Sequence, residues 1–239
     1  MAEQKVILLI NGGYKTGSTH VFNVLISLLD QKVDMQNRSV HNIYNPDWRS
    51  LNYKSASKAT VVKTHTMCSR PVAELQSKGF KVIVLWTMRD LTNRISSHYW
   101  HFINEKFWIP RFLYASTIGV VKALEMLHYD YEIRKFETLV EVHRFNYTKN
   151  EKELRGWLTS IFNNTDVDLE LDLLSCNKQS ERSSLDTSLF GGENRHWFTK
   201  RVEKKYRLFR FCSRLSESLF FITKIFKLGV IIKIIRCKS

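Results

Sequence analysis

Short apolar runs alternate along this chain with longer stretches whose apolar residues recur at helical spacing. The first run, Val6-Ile7-Leu8-Leu9-Ile10, is rich in β-branched and leucine side chains and reads as a buried strand. Val21, Phe22, Val24, Leu25, Leu28 and Leu29 then predict a helix over Ser18–Asp30. Ala59–His65 is a second buried strand, and Met67–Lys78 forms a short helix. Phe80–Met88 is a third, central strand, followed by a helix that carries Ile95, Tyr99, Trp100 and Phe102. Thr117–Phe136 has the pattern of a core helix. Thr138–Phe145 reads as a fourth strand, and a helix opening near Lys149 carries Trp157, Leu158, Ile161 and Phe162. Strands separated by helices predict an α/β fold with a central parallel sheet flanked by helices. Gln31–Ser57 is expected to be a polar connection with room for a short helix, with Asn45-Pro46-Asp47 as a turn. Asn163–Ser188 is polar and loop-like.

The C-terminal stretch changes character. Leu219–Ile235 is strongly apolar with Lys224, Lys227 and Lys233 inside it, too short and too charged to predict a membrane span. A docked helix and a basic segment lying on a membrane surface both fit that pattern. The expected division is a main α/β domain over 1–210 and an apolar, basic helical extension over 211–239.

Charge narrows the partners more than length does. The net charge of +14 favours anions such as nucleotides, sulfated or phosphorylated molecules, nucleic acid or acidic membrane. Aromatic residues do not interleave with basic ones as a nucleic-acid stacking platform requires, so no nucleic-acid partner is expected. Cys68, Cys176, Cys212 and Cys237 are scattered without zinc-ligand spacing, which reads as reduced thiols. Met1–Lys5 leads directly into the first strand, so the expected location is cytoplasmic, with peripheral membrane contact through the C-terminal segment as a further expectation.

The candidate chemistry collects at strand ends. Gly12 and Gly17 have the spacing of a phosphate-binding loop between a strand and a helix, but Ser18 stands where that loop carries lysine, and Lys15 comes three places earlier. The second strand ends on Lys63-Thr64-His65, and the third runs into Arg89. In an open parallel sheet, ligands lie outside the carboxyl ends of the strands. Arginine suits a phosphate there because its planar fork makes paired hydrogen bonds. Ser97 falls about two turns into the following helix.

Together these segments resemble the sulfotransferases that use 3′-phosphoadenosine 5′-phosphosulfate. Lys15-Thr16-Gly17-Ser18-Thr19 resembles the family's 5′-phosphosulfate loop, P-K-S-G-T-T-W. Lys63-Thr64-His65 is similar to its K-T-H segment, and Arg89 with Ser97 to its 3′-phosphate motif. The resemblance covers roughly residues 1–210 and implies a three-layer P-loop-like fold. It implies Lys15 and His65 as catalytic residues, the first stabilising the leaving group and the second acting as general base. Lys15, Thr16, Gly17, Ser18, Thr19, His20, Arg89 and Ser97 are implied to bind the nucleotide. Gly192 and Arg195 join them through a looser similarity of Leu189–Thr199 to a late glycine-containing segment. Tyr14 replaces the family's proline, and His20 replaces the tryptophan that packs on adenine, leaving Trp86 and Trp197 as other candidates for that contact. Arg144-Phe145 matches the start of a later R-Y-E-D segment, without its acids.

The expected reaction moves a sulfuryl group to a hydroxyl or amine of a small-molecule or carbohydrate acceptor and leaves 3′,5′-adenosine bisphosphate. No metal is expected, since Asp90 is the one carboxylate at a strand end. Two other classes share parts of the pattern. One is a P-loop kinase or nucleotide hydrolase; the other is a basic module that binds membrane surfaces or nucleic acid.

Overall fold

A computed structural model of the chain describes residues 6–30, 40–44, 59–64, 69–105, 109–147, 151–164 and 207–225. The chain divides into two compact units. One comprises Met1–Met88 with Ile133–Thr187, and the other Arg89–Glu132 with Ser188–Ser239.

The first unit is an α/β structure. Its strands are β1 (Val6–Asn11), β2 (Val40–Tyr44), β3 (Ala59–Thr64), β4 (Lys81–Met88) and β5 (Glu141–Asn146). They form one five-stranded sheet in the order β2-β3-β1-β4-β5, and every neighbouring pair is parallel. Central β1 is buried along its whole length, which explains its continuous apolar sequence. Val6, Leu8 and Ile10 share a face with Val61, Ile83, Leu85 and Phe145. That face packs on α1 (Ser18–Asp30) and α6 (Glu151–Asn164) through Val21, Phe22, Leu25, Leu154, Leu158 and Ile161. Each such side chain, fully buried, contributes roughly 1.5–3 kcal/mol. Ile7, Leu9, Val62 and Val84 point the other way and are also buried. Helix α2 (Ser69–Ser77) packs on β4 and buries Val72 and Leu75.

Strand β2 corrects the expectation of a polar connection with a short helix over Gln31–Ser57. Val40–Tyr44 pairs in parallel with β3 at the sheet edge. An edge strand has one partner, so five residues with apolar positions interrupted by His41 and Asn42 suffice.

The second unit is helical among the described residues: α3 (Leu91–Glu105), α4 (Arg111–Ser116), α5 (Ile118–Phe136, to Glu132 in this unit) and α7 (Arg207–Ile225). Its core joins Leu91, Ile95, Tyr99, Tyr114, Ala123, Met126, Phe209 and Cys212. Tyr114 is at its centre. The ring stacks edge-on against Tyr99 at 5.0 Å, and its hydroxyl meets His98 Nδ1 at 2.6 Å. Burial holds the Tyr114 hydroxyl and the free thiol of Cys212 above their ordinary pKa values. Buried Arg94 on α3 pairs with Asp130 on α5 at 2.6 Å. Helix α7 spans the position where the extension was expected to begin, and its Phe209 and Cys212 belong to the core just described. Among the described residues no helix is long and apolar enough to cross a membrane.

Candidate functional site

The sheet order places a switch point beside β1: the chain leaves β1 toward β2 and β3 on one side and leaves β4 toward β5 on the other. Ligands of open parallel sheets bind at such a point, outside the carboxyl ends of the strands. The turn from β1 into α1 occupies it. Gly12 lies so close to β4 that a Cβ there would collide with the Thr87 and Thr16 hydroxyls. Thr16 Oγ1 donates to the Gly13 carbonyl at 2.9 Å and meets Thr87 Oγ1 at 2.8 Å. A hydroxyl has one proton, so Thr87 is the donor to Thr16. These two bonds fasten the turn to itself and to β4.

The turn then takes two left-handed residues, Lys15 at φ 64° and Gly17 at φ 90°. Glycine adopts that conformation freely, but a lysine there is uncommon and costs about 1–2 kcal/mol. Gly17 is also pressed against the ring of Tyr147, where any Cβ would collide. Its carbonyl opens α1, accepting from the His20 and Val21 N–H groups at 2.9 and 3.1 Å. In a helix begun this way the N–H groups ahead of His20 have no acceptor within it and favour an anion.

Lys63 adds a buried cation. It sits opposite Ile10 in the β1–β3 register and is fully buried. Burial, and then the charge of Lys15, lower its pKa from 10.5 to about 7. The lysine of the turn therefore disfavours the charge of the lysine near the end of β3. Asn11, the last residue of β1, is fully buried, and neither end of its side-chain amide has a hydrogen-bond partner among the described residues. A buried amide in that state is an unsatisfied polar group at the foot of the turn.

The expected site residues fall into three groups. Lys15, Thr16, Gly17, Ser18, Thr19 and His20 all lie on the turn and the first turn of α1. The Thr16 hydroxyl is buried and engaged with Gly13 and Thr87. The His20 ring meets Tyr147 edge-on at 6.0 Å. Arg89 follows β4 directly and Ser97 lies on α3, both in the helical unit. His65, Gly192, Arg195 and Trp197 lie outside the described residues. Trp86 is corrected as an adenine platform. It is only 2% exposed, with the Arg144 guanidinium over its ring at 5.2 Å, and Arg144 is itself paired with Glu137. Asp90 accepts the Asn93 N–H at 3.0 Å and so caps α3.

Sequence reasoning missed Asn11, Thr87, Tyr147 and the burial of Lys63. Tyr147 continues the β4–β5 ladder by donating its N–H to the Met88 carbonyl at 2.8 Å, which sets its ring over the turn. The available signal was position: each of these residues is at or beside the carboxyl end of a strand.

The class these observations define is a parallel α/β unit with a tight glycine turn opening a helix at its switch point. Compared with known proteins, the chain matches no family model and no curated relative.

Proposed function

We propose that the chain is a three-layer P-loop-like sulfotransferase that uses 3′-phosphoadenosine 5′-phosphosulfate. The observation that carries this reading is the turn Gly12–Gly17, with Lys15 in a left-handed backbone and Lys63 buried at the end of β3, its pKa lowered by burial and then by the Lys15 charge. The residues fit an anionic group: two cations, first-turn N–H groups, glycines whose Cβ positions are already filled, and the unpartnered Asn11 amide. The standard phosphate loop puts its lysine where Ser18 stands, so a kinase or nucleotide hydrolase is the weaker reading.

When bound, the nucleotide supplies an activated sulfuryl group. In this reading the backbone of the turn and the Ser18 and Thr19 hydroxyls hold its 5′ oxygens. Lys15 stabilises negative charge on the leaving oxygen. Arg89 and Ser97 hold the 3′-phosphate, with Gly192 and Arg195 as further contacts. His65 removes the acceptor's proton, a task that suits a side chain with a pKa near neutrality. The acceptor is a small alcohol, phenol, amine or carbohydrate.

Thermal denaturation of the full chain with added nucleotide tests the cofactor. Saturating 3′,5′-adenosine bisphosphate is expected to raise the midpoint well above AMP or ATP with magnesium, as mass action requires of a ligand bound by the native state. A larger shift with magnesium ATP would favour the kinase reading and overturn this one.

A further inference from the structure

Helix α7 buries one side and leaves the other apolar as well as charged. Phe209, Cys212, Ser213 and Ser216 are buried. On the opposite side Phe211, Leu215 and Ile222, four and seven residues apart, form one line along the helix and are 64%, 38% and 46% exposed. Phe221, 63% exposed, follows on the arginine flank of the same outward half of the helix. Arg207, Arg210 and Arg214 are exposed along the flank of that line, with Glu217 as the one acid of the helix, while Lys224 sits over the Tyr131 ring at 4.9 Å. Ordinary surface helices do not expose two phenylalanines, a leucine and an isoleucine among arginines, and contiguous apolar surface of this kind marks an interaction site.

From this juxtaposition we propose that the outward side of α7 docks on an anionic lipid surface, lying in the plane of the headgroups. Charge complementarity selects that occupant. A second copy would bring three arginines against three across a two-fold contact, with one acid from each side to offset them. Nucleic acid would meet the arginines, but aliphatic Leu215 and Ile222 offer bases no stacking face, whereas acyl chains accept them. The helix is not apolar enough to cross the bilayer, so its exposed side chains insert at the boundary while the arginines stay among the headgroups.

The test is sedimentation of the full chain with vesicles of phosphatidylcholine alone, or of phosphatidylcholine with phosphatidylserine. Binding to the phosphatidylserine vesicles is expected, weaker in high salt and at least tenfold weaker to phosphatidylcholine alone. Phe211→Ser with Ile222→Ser, and separately Arg210→Glu with Arg214→Glu, are each expected to lower the affinity roughly tenfold or more. Their melting temperatures should stay near that of the parent, because the altered side chains are solvent-facing. The proposal is overturned by vesicle binding that both double variants retain, by no binding at low salt, or by displacement with a single-stranded oligonucleotide. It is equally overturned by a dimer in sedimentation velocity that the same substitutions dissolve.

Discussion

Lys63 of the sheet unit and Arg214 of the helical unit are both cations on regular elements, yet the first is fully buried and the second exposed. Burial makes the Lys63 charge expensive, and a neighbouring lysine makes it more so. Such a group responds strongly to one well-placed anion. Arg214 is solvated, shares its helix side with Arg207 and Arg210, and acts through summed, salt-screened attraction. The difference teaches that a net charge of +14 is not one property of this chain. Among the described residues, one lysine is buried within the sheet unit and three arginines are spread over a helix surface.

The sharpest way to break this contrast is through pH. Above about 10.5 Lys63 is neutral folded or unfolded; between about 7 and 10.5 the unfolded chain holds a proton that the native chain lacks, so stability rises with pH. Below about 7 the full penalty of the buried charge stands. Lys63→Met should therefore stabilise the ligand-free protein most at pH 6, on the order of several kcal/mol, and flatten the pH dependence between 7 and 10.5 in chemical denaturation. Reversing Arg214 to Glu should leave that pH profile unchanged.

Lys15→Gly separates chemistry from folding. Under the proposed function, sulfuryl transfer is expected to fall about a hundredfold or more. Stability should hold to within about 1 kcal/mol, because glycine relieves the left-handed strain while loosening the unfolded chain. An equal loss of stability and activity would mean that Lys15 is only structural.

Gly12→Ala should cost about 1–3 kcal/mol in urea denaturation, since the new methyl meets the Thr87 and Thr16 hydroxyls. The smallest effect is expected at Gly156, which is exposed on α6 with nothing near its Cβ position. There alanine should stabilise by about 0.8 kcal/mol through helix propensity alone.

Much of the sheet unit was legible because its local signals agree with its packing. The apolar run Val6–Ile10 is β1, and the spacing from Val21 to Leu29 gives α1 with the bounds Ser18–Asp30. Strand β2 was not legible, because an edge strand needs little apolar sequence and its existence depends on β3 beside it. The turn could be read from Gly12, Lys15 and Gly17, but the state of Lys63 could not. A lysine near a strand end reads as solvated, and only the neighbouring strands and α1 decide that it is buried. Tyr147 was hidden for the same reason: its place over Gly17 comes from the β4–β5 register, which no local pattern encodes. On α7 the apolar residues were visible, but which of them face outward depends on the helices that cover Phe209 and Cys212.

The central claim is that the turn and Lys63 form one anion site. Calorimetric titration of the full chain with 3′,5′-adenosine bisphosphate at pH 8, in two buffers of different ionisation enthalpy, tests it most directly. The account predicts saturable binding with proton uptake, as an anion recharges Lys63, and loss of that uptake in Lys63→Met. Absence of binding, or binding with the same proton exchange in Lys63→Met, would contradict it.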